Sequence, residues 1–250
     1  MNLDFTGQNV LVTGATRGIG AAIALAFEEA GASLLLTGTN QREIEELNQR
    51  NYEKGKQRVR WLHADFSSAV STSSFLEVIA QSPPIHVLIN NAGINRLNLI
   101  DEVREDDLDR LLSVNLRAPL LLCETVSRSM KQMHYGRIVN IASIWSVIAK
   151  SGRVVYSATK AGLVGMTKSV AVDLAHYGIL VNALSPGFVN TELTNTTLSD
   201  EDKVGIASQV PLGRFAEPEE IARIALFLSN KGNSYLTGQN IIVDGGFSCI

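Results

Sequence analysis

The sequence has little of several features that would assign it at once to a class of protein. Its 250 residues include only two cysteines, Cys123 and Cys249, which excludes a disulfide scaffold and a cysteine-rich zinc site. No apolar run approaches the roughly 18 residues of a membrane span, and no basic segment before such a run marks a signal peptide. The 22 basic and 25 acidic side chains nearly cancel, so no strong positive charge suggests nucleic-acid binding. These absences predict a cytoplasmic protein that binds neither nucleic acid nor a membrane.

What the sequence does contain is an alternation of short apolar runs with longer helical segments. Hydrophobic residues make up 45% of the chain, ample for a large core. The runs typical of strands are Asn9–Thr13, Leu34–Thr37, Val59–Leu62, Val87–Asn90, Arg137–Ile141, Leu180–Leu184 and Asn240–Val243. The segments typical of helices are Gly20–Glu29, Arg42–Tyr52, Ser74–Ala80, Asp106–Met133, Tyr156–His176 and Pro218–Leu228. The alternation predicts a single α/β domain over residues 1–250, a doubly wound Rossmann-type fold with a seven-stranded parallel sheet and helices on both faces.

A glycine-rich turn joins the first strand to the first helix. Residues 13–20 read Thr-Gly-Ala-Thr-Arg-Gly-Ile-Gly. Glycines in this position let the backbone approach a pyrophosphate, and the N-terminus of the helix presents free N–H groups to it. The spacing differs from the commoner Gly-x-Gly-x2-Gly, and a glycine triplet alone also fits an ordinary tight turn. We predict dinucleotide binding here, with contacts from Gly14, Thr16, Arg17, Gly18, Ile19 and Gly20.

The end of the second strand indicates which dinucleotide is bound. A carboxylate about 20 residues after the glycine motif would bind the ribose 2′-hydroxyl of NAD. Here the strand ends in Gly38-Thr39-Asn40, with no carboxylate. Arg17 is available instead to pair with a 2′-phosphate. The sequence therefore favours NADP(H), with Thr39 as a further contact; the alternative is NAD(H), with Arg17 an ordinary solvated loop residue.

Tyr156 and Lys160 lie four residues apart in a helical segment and so share one face of it. Most pairs with this spacing are solvated neighbours, but Ser143 stands at the carboxyl end of the strand just upstream. Ligands of open α/β sheets bind beyond the carboxyl ends of the strands. We therefore expect the three side chains to meet at that edge of the sheet.

Together these segments resemble the short-chain dehydrogenase/reductase family. The matching pieces follow the family's order through the chain: Thr13–Gly20, Asn90–Gly93, Asn115, Ser143, Tyr156 with Lys160, Pro186-Gly187 and Val243–Gly246. The resemblance implies hydride transfer between NADP(H) and a carbonyl or secondary alcohol, with Tyr156 as the general acid or base. It implies that Ser143 binds the substrate oxygen and that Lys160 binds the nicotinamide ribose. A lysine cation about 4 Å away would lower the tyrosine pKa from about 10 by up to roughly three units.

The resemblance also implies that Asn115 helps to hold a water that relays protons to Lys160. Asn115 falls in an apolar stripe of its predicted helix, so we expect it to be buried and hydrogen-bonded. Pro119, four residues on, has no N–H to donate to the Asn115 carbonyl. We predict that this free carbonyl binds the relay water; the alternative is a proline kink with no chemical role.

Further cofactor contacts are implied in segments that follow other strands. Besides Tyr156 and Lys160, these are Asp65, Phe66, Asn91, Ala92, Gly93, Pro186, Gly187, Val189 and Thr191. Asn91 has a second interpretation, as a brace of the sheet. The stretch from Ser185 to about Glu217 is the one long irregular segment, and we expect it to act as the substrate loop. The expected substrate contacts are Ser143, Trp145, Tyr156 and Phe188, in a lining that is apolar and nearly free of charge.

The substrate stays open between a small free carbonyl or alcohol compound and a 3-oxoacyl group on an acyl carrier protein. Reductases of the second kind usually present two arginines to the acidic carrier. Here His134 and Tyr177 stand at those positions, with Arg128, Lys131 and Arg137 displaced nearby. The alternative from another class is an inactive nucleotide-sensing or scaffold protein. The resemblance further implies a homodimer or homotetramer.

Overall fold

In the computed structural model, which describes residues 3–249, seven strands form one sheet. They are β1 (Asn9–Val12), β2 (Ser33–Gly38), β3 (Val59–His63), β4 (Val87–Asn90), β5 (Gly136–Ile141), β6 (Ile179–Pro186) and β7 (Asn240–Val243). Their order is β3-β2-β1-β4-β5-β6-β7, and every neighbouring pair is parallel. The chain reverses its winding between β1 and β4, and such a switch point opens a crevice at the carboxyl ends of the strands. The predicted fold class is confirmed.

The helices of the described residues are α1 (Gly18–Glu29), α2 (Gln41–Glu53), α3 (Ala69–Ala80), α4 (Glu105–Leu112), α5 (Ala118–Met133), α6 (Val154–Leu174), α7 (Glu192–Thr197), α8 (Asp200–Ala207) and α9 (Pro218–Ser229). The segment Asp106–Met133, predicted as one helix, is in fact α4 and α5 joined by a π-helical turn, Ser113–Arg117. The apolar stripe continues across that turn, so periodicity alone did not separate the two helices. No helix between residues 3 and 249 is long and apolar enough to cross a membrane.

The stretch from Ser185 to Glu217 is more regular than the sequence predicted, because it contains α7 and α8. The Thr191 hydroxyl caps α7 by accepting from the N–H of Thr194 at 3.2 Å. At the start of α8, Ser199 and Asp202 form a capping box in which each side chain accepts from the other's backbone N–H. A serine followed three residues later by an acidic residue is a helix-start signal. The expectation of an irregular segment was therefore wrong.

Both faces of the sheet are covered because alternate side chains of each strand pack on opposite sides. On β1, Val10 and Val12 belong to the core on one face and Leu11 to the core on the other. The first core is completed by side chains of α1 and α9, the second by side chains of α3, α5 and α6. Each fully buried Val, Leu, Ile or Phe contributes about 1.5–3 kcal/mol. The two cores fix α1 and α6, the helices that carry the site.

Candidate active site

The glycine turn between β1 and α1 is packed too closely for larger residues. Gly14 and Gly18 have φ angles of 63° and 56°, which favour glycine. A Cβ on Gly20 would lie 2.2 Å from the carbonyl oxygen of Gly14, so a side chain there would displace the backbone. The turn thus leaves its backbone open to a phosphate group at the N-terminus of α1. These residues fit a bound dinucleotide.

Asn91, just after β4, braces this turn. Its side-chain amide donates hydrogen bonds to the carbonyl oxygens of Thr13 at 3.0 Å and Gly14 at 2.9 Å. The Thr13 hydroxyl accepts from the backbone N–H groups of Asn91 and Ala92, both at 3.0 Å. Asn91 also lines the cleft described next, so a contact with the cofactor stays a prediction beside the bracing role that the structure shows.

A cleft of about 650 Å³ opens at the carboxyl ends of the strands from β3 to β4. Its lining includes these predicted cofactor contacts: Gly14, Thr16, Arg17, Gly18, Ile19, Gly20, Thr39, Asp65, Phe66, Asn91, Ala92, Gly93 and Thr191. It also includes Thr37, Gly38, Ala64, Ser67, Ile94, Arg110, Val114 and Glu192. Arg110 lies on α4, distant in sequence from the glycine turn, and no local motif signals it.

Asp65 carries a negative charge in this cleft. The hydroxyl and the backbone N–H of Ser67 donate to its Oδ1 at 2.7 and 2.9 Å. These hydrogen bonds hold the pKa of Asp65 below its ordinary value. A carboxylate accepts hydrogen bonds and donates none at neutral pH, which suits the adenine contact that the resemblance implies.

The other predicted cofactor residues lie outside the lining of the cleft. The Gly187 N–H donates to the carbonyl of Val243 at 2.9 Å, and a Cβ on Gly187 would lie 2.7 Å from the Cα of Asp244. Thr191 then brings the chain back towards the glycine turn, its Cγ2 lying 3.4 Å from the position of a Cβ on Gly18. Contacts of the nicotinamide with Pro186, Gly187 and Val189 stay a prediction.

Ser143, Tyr156 and Lys160 meet beyond the carboxyl end of β5. The Ser143 side chain lies close enough to the Tyr156 phenol to act on its pKa. The Lys160 ammonium donates to the carbonyl of Ile141 at 2.7 Å and lies 5.7 Å from the centre of the Tyr156 ring. Ser143 and Lys160 are buried. The structure thus brings together the three side chains that the sequence predicted to meet.

The electrostatics of this trio differ from the expectation. Burial raises the pKa of Tyr156, while the side chain of Ser143 and the charge of Arg153 act in the opposite direction. Burial also lowers the pKa of Lys160 to about 8. The prediction that Lys160 brings the tyrosine pKa down was wrong for this structure, because desolvation of the phenolate outweighs the attraction of a cation. The charge that does act on Tyr156 belongs to Arg153, which sequence reasoning missed.

Asn115 is fully buried in the π-helical turn, as expected of a polar residue in an apolar stripe. Its amide oxygen accepts from the N–H of Ile94 at 2.9 Å, and its amide nitrogen donates to Ile94 O at 2.9 Å and to the Thr159 hydroxyl at 3.1 Å. The side chain therefore joins the segment after β4 to α6, next to Lys160. Within the turn, the N–H of Ala118 bonds to the carbonyl of Ser113, five residues earlier. Binding of a relay water by the Asn115 carbonyl stays a prediction.

The predicted substrate residues Trp145 and Phe188 form an aromatic wall with two residues that the sequence did not single out. The ring of Trp145 lies edge-on to Phe188 at 6.1 Å. Phe188 stacks on Phe215 at 5.4 Å and meets Phe247 edge-on at 5.2 Å. An apolar substrate lining with few charges stays a prediction. One charged group, Arg153, packs over the Trp145 ring at 4.9 Å. The contacts of Arg153 depend on the fold, and no local sequence motif predicts them.

The fold and the site together indicate a class of enzyme. A cradle for a dinucleotide stands beside a hydroxyl pair and a buried lysine, and no cluster of residues within 3–249 is suited to hold a metal ion. Such a constellation is that of a nicotinamide-dependent oxidoreductase.

Comparison with known proteins gives the family. A family model described as enoyl-(acyl carrier protein) reductase matches residues 14–248. The 3-oxoacyl-(acyl-carrier-protein) reductases FabG of Aquifex aeolicus and Rickettsia bellii are 40% and 36% identical over 247 and 244 residues, 98% of this chain and 99% and 98% of theirs. A crystal structure of a gluconate 5-dehydrogenase from Burkholderia cenocepacia, in complex with NADP and tartrate, has a TM-score of 0.91 at 30% identity, covering 100% of this chain and 98% of that one. The chain belongs to the short-chain dehydrogenase/reductase family and is an oxidoreductase acting on CH–OH and C=O groups.

Proposed function

We propose that the protein interconverts a ketone and a secondary alcohol of a small substrate, with Tyr156 as the general acid or base. The observation that carries this proposal is that Ser143, Tyr156 and Lys160 meet beyond β5, at the edge of the sheet where the dinucleotide cleft opens. In the direction of reduction, bound NADPH supplies the hydride to the carbonyl carbon.

Side chains of this protein hold and transfer the proton that the carbonyl oxygen receives. The Ser143 hydroxyl donates a hydrogen bond to the carbonyl oxygen and so orients it beside Tyr156. Because burial raises the pKa of Tyr156, the phenol keeps its proton at neutral pH and can give it to the oxygen as negative charge develops there. Lys160, with a pKa lowered to about 8, exchanges a proton readily near neutral pH and is suited to return one to the phenolate. Asn115 donates a hydrogen bond to Thr159, the residue before Lys160. The side chains of Asn115 and Lys160 also both lie beside Gly93, so Asn115 positions Lys160.

The cofactor is NADP(H), in keeping with the NADP in the complex of the Burkholderia relative. Arg17 lines the cleft, is exposed, and within residues 3–249 forms no ion pair. A guanidinium pairs with a phosphate through two parallel hydrogen bonds, which suits the 2′-phosphate that NADPH has and NADH lacks.

Replacing Arg17 with alanine is expected to weaken NADPH binding about 10- to 100-fold and NADH binding less than about threefold, since only the charge-assisted contact is lost. Titration of nicotinamide fluorescence measures both. Arg110→Ala is the informative second variant, because Arg110 lines the same cleft. If Arg110→Ala gives the selective loss and Arg17→Ala does not, Arg110 recognises the phosphate and the assignment to Arg17 is wrong.

A free carbonyl compound is our leading substrate class, and a carrier-bound 3-oxoacyl group is the second. The FabG relatives favour the second. Against it, Arg137 is buried and donates to the carbonyls of Gly136, Gly178 and Asn233, and Arg128 pairs with Glu124. Arg137 is therefore not free to meet an acidic carrier, and Arg128 is already paired within its own helix, although it is exposed.

The proposed function is tested by following NADPH absorbance with a panel of substrates. The panel contains free ketones, acetoacetyl-N-acetylcysteamine and an acetoacetyl carrier protein. We expect turnover of at least one free ketone. Turnover of the carrier-bound substrate alone would establish the second class, and NADPH binding without any turnover would support a nucleotide-sensing or scaffold protein instead.

We further propose a single-domain cytoplasmic enzyme that forms a homodimer or homotetramer through α6. Along this helix Ala158, Ala161 and Gly165 are exposed, and a Cβ on Gly165 would meet no atom within 4 Å. Val172 extends the same helix with 77% of its surface exposed. Small and apolar residues allow two helices to approach closely, which supports this face as the contact.

A further inference from the structure

Arg153 is fixed in place by its backbone, immediately before α6 and three residues before Tyr156. Its carbonyl accepts from the N–H of Ser157 at 2.8 Å. On the other side it forms an isolated parallel bridge with Asn98, whose N–H donates to the carbonyl of Gly152 at 3.1 Å. The residue is thus held between the first turn of α6 and the segment that follows β4.

The side chain of Arg153 has no counter-ion. Its guanidinium packs over Trp145 at 4.9 Å and is half-buried. Within the part of the chain that the structure describes, it forms no ion pair and no hydrogen bond. Burial lowers its pKa, and the group that raises it is Tyr156. A desolvated cation therefore stands near the catalytic hydroxyl, and no carboxylate within residues 3–249 pairs with it.

Arg137 shows what an arginine with a structural role looks like in the same protein. It is buried, and its N–H groups donate to three backbone carbonyls at 2.8 to 3.2 Å. It also packs over an aromatic ring, that of Tyr135, at 4.6 Å. Arg153 has the aromatic contact but none of the hydrogen bonds. Stacking uses the face of a guanidinium and leaves the donors along its edge free for a ligand.

The aromatic wall connects Arg153 to the trio through Trp145. Trp145 follows Ser143 by two residues, and its N–H donates to the Ser143 hydroxyl oxygen at 3.3 Å. Trp145 in turn contacts Phe188. A ligand that reaches the hydroxyl groups of Ser143 and Tyr156 therefore comes close to Arg153.

We propose that Arg153 binds an anionic oxygen group of the substrate, a carboxylate or a phosphate, close to the carbonyl that is reduced. The planar fork of donors matches two oxygens of such a group, and the ion pair supplies the missing counter-charge. This inference rests on the proposed function and narrows its substrate class to oxo acids or phosphorylated ketones. The stack on Trp145 then orients the guanidinium towards that group.

The test compares each anionic substrate with a neutral partner of nearly equal size. One arm uses 2-, 3- and 4-oxo acids and their methyl esters, the other dihydroxyacetone phosphate and dihydroxyacetone, all with NADPH. We expect the parent enzyme to prefer the anionic member of one arm by about 10- to 100-fold in kcat/KM. Arg153→Gln is expected to reduce that ratio at least tenfold. The ratio of kcat/KM for the anionic and the neutral substrate reports only the contact between Arg153 and the anionic group. Any effect of Arg153 on the Tyr156 proton changes kcat/KM for both substrates of a pair alike.

Arg58→Gln is the matched control, since Arg58 is exposed and its guanidinium donates to the carbonyl of Gly31 at 3.0 Å, away from the trio. We expect it to leave the ratio unchanged. Equal kcat/KM for both members of every pair in the parent enzyme, or an unchanged ratio in Arg153→Gln, would overturn the inference while leaving the proposed function intact.

A binding measurement distinguishes failure of the proposed function from failure of the anion site. Calorimetry with malonate, succinate and methyl phosphate, none of which carries a secondary alcohol, detects the anion site without turnover on the protein saturated with NADP⁺. If no ketone is reduced but one of these anions binds and Arg153→Gln abolishes the binding, the proposed function fails and the anion site stands. If none of them binds and no preference for an anionic substrate is seen, the anion site is disproved.

Discussion

Replacing Tyr156 with phenylalanine is expected to lower kcat for ketone reduction by about 10²- to 10⁴-fold. The variant keeps the ring and loses only the hydroxyl that donates the proton. The carbonyl oxygen then keeps one polar partner, Ser143, where the parent enzyme offers two. Steady-state kinetics with NADPH at saturating ketone measures the change, and fluorescence titration should find NADPH binding within about threefold of the parent.

Tyr135→Phe is the matched control for this experiment. Tyr135 is another tyrosine shielded from solvent, and its hydroxyl donates to the side chain of Gln8 at 3.2 Å, away from the trio. Its loss is expected to leave kcat unchanged. If Tyr156→Phe turns over as fast as the parent, or if Tyr135→Phe is equally slow, Tyr156 is not the acid.

The sheet could be predicted from the sequence because its strands are buried on both faces and read as continuous apolar runs. Each run ended within two residues of the observed strand. The helices were harder to predict from the sequence in two places. The π-helical turn at Ser113–Arg117 leaves the apolar stripe intact, so nothing in the periodicity marks it. The helices α7 and α8 are only six and eight residues long, and their only sequence signal is a cap at Thr191 or Ser199.

The site divides in the same way between local and long-range information. Tyr156 and Lys160 are one helical turn apart, so their proximity follows from spacing alone. Arg110 and Arg153 come to the cleft and to the trio through the packing of α4 and of the segment before α6. The sequence alone does not distinguish such an arginine from one that is exposed to solvent. The pKa of Tyr156 was misjudged for a related reason, since spacing predicts a nearby cation but says nothing about burial.

The lowered pKa of Lys160 makes a second prediction, this time for stability. Its ordinary value is 10.5 and its value in the folded protein is about 8, so the folded state disfavours the charged form. Between these two values the unfolded chain binds more protons than the folded one. The contribution of Lys160 to the free energy of unfolding therefore rises with pH across this window, by up to about 1.4 kcal/mol per unit and about 3 kcal/mol in all. Below about pH 8 both states are protonated, and the cost of burying the charge is constant.

Lys160→Met removes this titration and fills nearly the same volume. Urea unfolding from pH 7 to 10 should therefore show that the advantage of methionine over lysine is greatest below about pH 8 and shrinks as the pH rises. Both proteins are compared in the Tyr156→Phe background, because the phenol would otherwise titrate beside the lysine. The carbonyl of Ile141 loses its donor in the methionine protein. That loss shifts the difference in stability by a constant and leaves its pH dependence intact. A difference that does not change with pH would mean that Lys160 keeps an ordinary pKa, and that the folded protein holds a fully charged lysine beneath the catalytic hydroxyl.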